Sequence, residues 1–182
     1  NPEFIDDAIS TIAASVERMK DVMTQLKRGG TYEPGREIEL RFLASTAVDR
    51  CSSRSPLPCL VLNDVDAFVR TSAQECIMVL THLIRNAQDA TTTDGEVTVE
   101  LEVAGEEARV IIRDDGSGMS SDFIRERLFR PFESTKGSGG MGIGAYQARE
   151  FARNYGGRLD VSSAPGEGTS VTLSLPKVRV RL

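Results

Sequence analysis

Residues 72–90 read Ser-Ala-Gln-Glu-Cys-Ile-Met-Val-Leu-Thr-His-Leu-Ile-Arg-Asn-Ala-Gln-Asp-Ala. Ser72 followed by Glu75 three positions later is a capping box, the signature of a helix start. From there Cys76, Val79, Leu80, Leu83, Ile84 and Ala87 recur at helical spacing, so the segment predicts an amphipathic helix running through Ala90. His82, Asn86 and Asp89 are spaced four and three apart and share one stripe along the border of that apolar face. Polar groups at the edge of a buried helix need partners, since leaving one desolvated and unpaired costs roughly 1–3 kcal/mol. A hydrated Mg²⁺ with phosphates would satisfy them, an amide oxygen being a suitable hard ligand. An ordinary solvated helix edge explains the same three residues equally well.

Around this helix the pattern is that of strands and helices without strict alternation. Glu37 to Leu40 alternates like a strand, Leu43 to Arg54 reads as a helix, and Pro58 to Asn63 as a short apolar strand. Downstream, Val97, Val99, Leu101 and Val103 alternate, Ala104 to Glu107 turn, and Ala108 to Ile112 return, a β-hairpin. A helix from about Ala145 to Tyr155 is closed by Gly156-Gly157, and a final hairpin pairs Arg158–Ser163 with Thr169–Leu175. The natural packing is α+β, a two-layer sandwich with helices on one face of a mixed sheet.

Upstream, Ile5, Ile9, Ile12, Val16, Met19, Met23 and Leu26 form a heptad seam, stopped by Gly29-Gly30. So narrow a seam predicts a long helix that needs a partner helix. The expected organisation is a heptad helix over 1–28, a linker over 29–36 and a folded domain over 37–182.

Composition bounds the function. Of the 182 residues 40% are hydrophobic and 27% charged, with a formal charge of -5. That is the profile of a globular chain and argues against nucleic acid as a partner, which a basic footprint would signal. No apolar run reaches the roughly 20 residues of a membrane span. The three cysteines, Cys51, Cys59 and Cys76, make no CxxC pair and there is a single histidine, so a zinc site is not expected. A reducing cytoplasm is the expected setting.

Three further stretches carry chemistry. Asp114-Asp115-Gly116-Ser117-Gly118-Met119 follows an apolar strand. A carboxylate fixed at a strand end accepts from an exocyclic amine, Gly116 and Gly118 admit a flat ring close to the backbone, and Met119 offers a soft apolar contact. A plain Asp-Gly turn is the alternative. Next, Phe129 and Phe132 flank Pro131 as candidate anchors, and Lys136 leads into Gly137-Ser138-Gly139-Gly140-Met141-Gly142-Ile143-Gly144. Five glycines within eight residues suit a lid that closes onto the start of the following helix, whose N–H groups would receive phosphates beside the Lys136 cation. Gly137, Gly139 and Gly142 also match the dinucleotide GxGxxG fingerprint, but the buried strand that must precede it is missing. No GxxxxGK[ST] loop exists. Gly166-Glu167-Gly168-Thr169 reads as a hairpin turn.

In this order and spacing the four elements resemble the N, G1, F, G2 and G3 boxes of the GHKL superfamily, in its histidine-kinase form, over roughly Glu37 to Pro176. The resemblance implies a Bergerat-type sandwich that binds ATP and Mg²⁺. It makes Asn86 the Mg²⁺-binding asparagine and Asp114 the adenine-reading aspartate. Gly116, Gly118 and Met119 would line the base, Gly140-Met141-Gly142-Ile143 would be the phosphate segment, and Thr169 would close the adenine side. Ser138 departs from the glycine that usually opens the G2 box. The run from Met141 to Tyr146 after Phe132 to Lys136 is most similar to PrsK-type kinases of PEP-CTERM/exosortase systems.

The family implies that the heptad helix is the second helix of a dimerising phosphoacceptor hairpin. The acceptor histidine would then lie upstream of Asn1, with a homodimer formed through that hairpin, a receiver domain of a response regulator as partner, and a cytoplasmic domain of an inner-membrane sensor. His82 lies four residues before Asn86, inside the nucleotide site, and cannot readily meet an in-line γ-phosphate from the same pocket. ATPases of the chaperone and mismatch-repair type carry a glutamate there to activate water, so a histidine favours a kinase. A nucleotide-gated interaction module without phosphotransfer stays open as the alternative.

Overall fold

The computed structural model describes residues 35–61, 63, 65–131 and 142–178. The heptad helix expected over 1–28, most of the linker, and Phe132, Lys136, Gly140 and Met141 lie outside the described residues. Within them the chain runs β1 (Arg36–Glu39), α1 (Leu40–Cys51), β2 (Pro58–Val61), β3 (Phe68–Thr71), α2 (Ala73–Ala90), β4 (Val97–Ala104), β5 (Glu107–Asp114), α3 (Ser121–Glu126), α4 (Gly144–Asn154), β6 (Arg158–Ser163) and β7 (Thr169–Pro176).

Five strands form a mixed sheet in the order β2-β4-β5-β7-β6, with β2 parallel to β4 and the other pairs antiparallel. The alternation in β4 and β5 sends Val97, Val99, Leu101, Ala108, Val110 and Ile112 to one face, where all are buried. The helices cover that face. α2 lies between α1 and α4 and on β4 and β5, and its entire predicted stripe from Cys76 to Ala87 joins the same core as Leu43, Ala44 and Ala47 of α1. At ~1.5–3 kcal/mol for each large side chain buried, this stripe fixes the helix and carries its polar edge along with it. The opposite face of the sheet presents Glu102, Arg109, Glu107, Arg158 and Asp160, linked in ion pairs.

Three departures from the sequence reading have physical causes. α1 starts at Leu40, not Leu43. The Leu40 N–H donates to Ala67 O at 2.8 Å and its side chain enters the core, while Glu39 caps without a side-chain bond and so leaves no capping signal. α1 also stops at Cys51, not Arg54. The chain then turns, and Gln88 Nε2 of α2 donates to the carbonyls of Cys51, Arg54 and Pro56 at 3.1, 2.8 and 2.8 Å. Finally, β3 was not expected. It pairs antiparallel with β1, and the residues after β7 reach it, with Val178 N donating to Phe68 O at 2.7 Å. Lys177 continues the chain beyond β7, its N–H donating to Glu106 O at 2.8 Å.

Candidate nucleotide-binding site

α2 begins as predicted, with Ser72 Oγ accepting from Glu75 N at 3.4 Å. The other half of the box is put to a different use, because Glu75 Oε2 accepts from the Tyr155 hydroxyl at 3.2 Å. That bond ties the start of α2 to the end of α4. At its other end, the N-terminus of α4 meets the polar edge of α2 beyond the middle of that helix. A Cβ on Gly144 would stand 3.6 Å from Asn86 Nδ2 and 3.9 Å from His82 Cβ. Asn86 is exposed and His82 half-buried.

The residue at the N-cap of α4 is Ile143, which makes no side-chain cap bond. The first N–H groups of that helix thus receive nothing from the N-cap side chain, at the end where the helix dipole favours an anion. Ile143 turns its own side chain into the interior, at 6% exposure, so only its backbone borders the site. Gly142, just before it, has φ +63°.

Asp89, the third member of the predicted stripe, pairs with Arg54. Together with Gln88 it holds the 51–56 turn against α2.

The loop after β5 is where the sequence placed a carboxylate and a ring. Asp114 Oδ1 accepts from Gly116 N at 3.0 Å, and Asp114 lies opposite Thr169 in the β5–β7 ladder. Burial pushes the Asp114 carboxyl above its ordinary value and the Asp115 charge adds to this, against the pull of the Gly116 and Thr169 N–H groups. A half-buried carboxylate with only part of its accepting capacity used suits a donor on a ligand.

Three backbone segments interlock here. Ser117 N donates to Ala90 O at 3.0 Å and Gly166 N to Ser117 O at 2.8 Å, while Met119 N donates to Ser163 Oγ at 2.8 Å. The approach is close enough to exclude a Cβ. One on Gly116 would lie 2.3 Å from Ala90 O, one on Gly118 1.9 Å from Ala164 O, and one on Gly168 1.9 Å from Asp114 O. A hollow of about 290 Å³ between Arg113, Asp114, Ser163, Glu167, Thr169 and Ser170 borders this edge. It takes no residue from α2, so it covers only part of the arc.

Met119 is half-buried, as a lining contact would be. Phe129, expected to anchor, does so. It packs on the core and the Arg149 guanidinium of α4 lies 4.6 Å from its ring centroid.

The arc therefore runs without a break from Thr169 through Asp114 and Gly116 to Ala90, back one turn of α2 to Asn86, and on to Gly144. Sequence reading missed α3, although Ser120 before Asp122 was a usable signal. Ser120 Oγ accepts from Phe123 N at 3.2 Å. It also missed Ser163, which no motif marks.

A half-buried carboxylate at a strand end, a helix-borne amide and a helix N-terminus are gathered on an α+β sandwich, the arrangement of a GHKL-type nucleotide-binding domain. The histidine kinase-, DNA gyrase B- and HSP90-like ATPase family model matches residues 71–179, and the chain belongs to that family. Its form is that of the ATP-binding catalytic domain of sensor histidine kinases.

The C4-dicarboxylate transport sensor protein DctB of Rhizobium meliloti is 36% identical over 101 residues, 54% of this chain and 16% of its own length. Sensor histidine kinase ZraS of Klebsiella oxytoca is 31% identical over 134 residues, 73% of this chain and 27% of its own. The chain thus spans well under a third of the length of these two relatives. Among solved structures, the mycobacterial sensor histidine kinase MprB superposes with a TM-score of 0.69 at 20% identity, covering 81% of this chain and 98% of that one. Full-length ShkA in complex with AMPPNP gives 0.72 at 17% identity, covering 84% and 33%.

Proposed function

We propose that this domain holds Mg²⁺-ATP along the arc from Thr169 to Gly144 and presents its γ-phosphate to a histidine outside the chain, for relay to the receiver domain of a response regulator. What carries the reading is the contact between α2 and the N-terminus of α4, which brings Asn86 beside the first N–H groups of α4, while the Asp114 loop abuts α2 one turn further on, at Ala90. Asp114 and Thr169 address the base. Asn86 offers an amide oxygen to the cation. The Gly144 end of α4 takes phosphate oxygens, with Lys136 and the 140–143 segment as further phosphate contacts.

The donor set fits the metal. Among the described residues no group of three or more His, Cys, Asp or Glu side chains converges. A hard cation here would complete its shell with phosphate oxygens and water, as Mg²⁺ does. When bound, Mg²⁺-ATP supplies the phosphoryl group and offsets its charge. The protein's own part is positioning.

The full-length protein would dimerise through the 1–28 helix and its hairpin partner and would belong to an inner-membrane sensor, of PrsK type. Among the described residues no helix is long and apolar enough to cross a membrane.

Incubated with ATP and Mg²⁺, the full-length protein should form an acid-labile phosphohistidine, on a residue other than His82, that passes to a receiver aspartate. Asn86→Ala should abolish both signals. The 182-residue chain alone should form neither, and labelling of the isolated chain on His82 would overturn the proposal.

A further inference from the structure

The reading above rests base recognition on Asp114 and Thr169, but a threonine hydroxyl is a donor and an acceptor alike and does not by itself prefer one purine edge to another. Its direction here is set by a third residue. Ser163 Oγ accepts from Met119 N at 2.8 Å, lies 2.7 Å from Gly168 O and lies 3.0 Å from Thr169 Oγ1.

A carbonyl can only accept, so the single Ser163 proton goes to Gly168 O. The contact between the two hydroxyls must then be made by the Thr169 proton, donated to Ser163. That leaves Thr169 Oγ1 with lone pairs only for any further partner. Across the ladder from it Asp114 is also an acceptor, one oxygen already engaged by Gly116 N. Two acceptors side by side match an exocyclic amine and repel a carbonyl oxygen. Thr169 is 9% exposed, so water offers the hydroxyl little alternative partnership.

We infer that Ser163 is a positioning residue for purine selectivity, which locks the Thr169 hydroxyl as an acceptor so that the site takes a 6-amino purine and rejects a 6-keto one. The inference presupposes the nucleotide site proposed above. The same hydroxyl also joins the loop after β5 to the 164–168 turn, so a merely structural role must be separable by experiment.

ADP and inosine diphosphate differ at the 6-position in the group that this argument concerns, amine against carbonyl. Calorimetric titration of the chain with each, in Mg²⁺, gives their affinity ratio. The expected result is a preference for ADP that narrows about tenfold in Ser163→Ala, the order of one misdirected hydrogen bond. Ser163→Thr keeps the hydroxyl and should keep the ratio.

If Ser163 only braces the loop, both nucleotides weaken by the same factor and the unchanged ratio overturns the inference. Should Ser163→Ala not fold, Ser163→Thr and Ser163→Val, equal in shape and differing in the hydroxyl, make the same comparison. An equal ratio in those two again overturns it. A wild-type chain that binds neither nucleotide would contradict the nucleotide site itself and take this inference with it, whereas ADP binding with an unmoved ratio removes this inference alone.

Discussion

Gly168 and Gly105 have nearly the same backbone, φ +77° and +61°, but opposite surroundings. A Cβ on Gly168 would meet Asp114 O at 1.9 Å, whereas around Gly105 nothing lies within 4 Å. An alanine at either pays the ~1–2 kcal/mol of an L residue in the left-handed region. At Gly168 the clash with backbone that cannot retreat adds roughly 1–3 kcal/mol. Urea titrations of the two alanine variants should therefore show the larger loss at Gly168, and equal losses would refute the interlock of the 114–119 and 164–168 segments. Residue types told part of this in advance. Asp114 after an apolar strand and Asn86 on a helix edge are visible as chemistry because their neighbours in sequence define their setting. Ser163 is not, because its hydroxyl acquires its meaning from Met119, 44 positions away. The pairing of Asp89 with Arg54 was hidden for the same reason, because Arg54 comes from a turn that periodicity does not describe.

At the level of elements, those with a strong local pattern were legible, the four-residue β1 and β2 among them, whereas β3 and α3 were not. α2 and both hairpins announce themselves through caps, periods and turn glycines. β3, four residues, and α3, six residues, exist because of what they pack against. The charged face of β4, β5 and β6 was likewise invisible until register put Glu107 between two arginines. Hydrogen bonds from Arg158, and then from Arg109, hold the Glu107 carboxyl down to about 2, against an ordinary 4.5. A carboxyl depressed on folding adds stability in full above its unfolded value and loses it as pH falls toward the folded one. The stability gap between the wild type and Glu107→Gln should thus be present at neutral pH, shrink through the window from about 4.5 to about 2 and shrink also in high salt. A gap that is flat across this range, followed by urea midpoints, would show that the ladder of ion pairs contributes nothing to folding.

For the molecule as a whole, one construction principle serves the site. A core helix pinned by its apolar stripe carries Asn86 on its free edge, the loop after β5 abuts its last turn at Ala90, and the N-terminus of a second helix abuts it beyond the middle. Fold class and family could be read from the order of motifs because each motif occupies an end of an element, where side chains and backbone N–H groups are available. How those ends meet depends on tertiary contact, and that part came from the structure. The central claim is that these ends form one adenine-nucleotide site. A crystal structure of the chain with ADP and Mg²⁺ tests it most directly. The account predicts the exocyclic amine at the Asp114 carboxylate, the diphosphate at the Gly144 end of α4 and the cation on the Asn86 amide oxygen. Nucleotide bound elsewhere, or an arc left empty at saturating ADP, would contradict it.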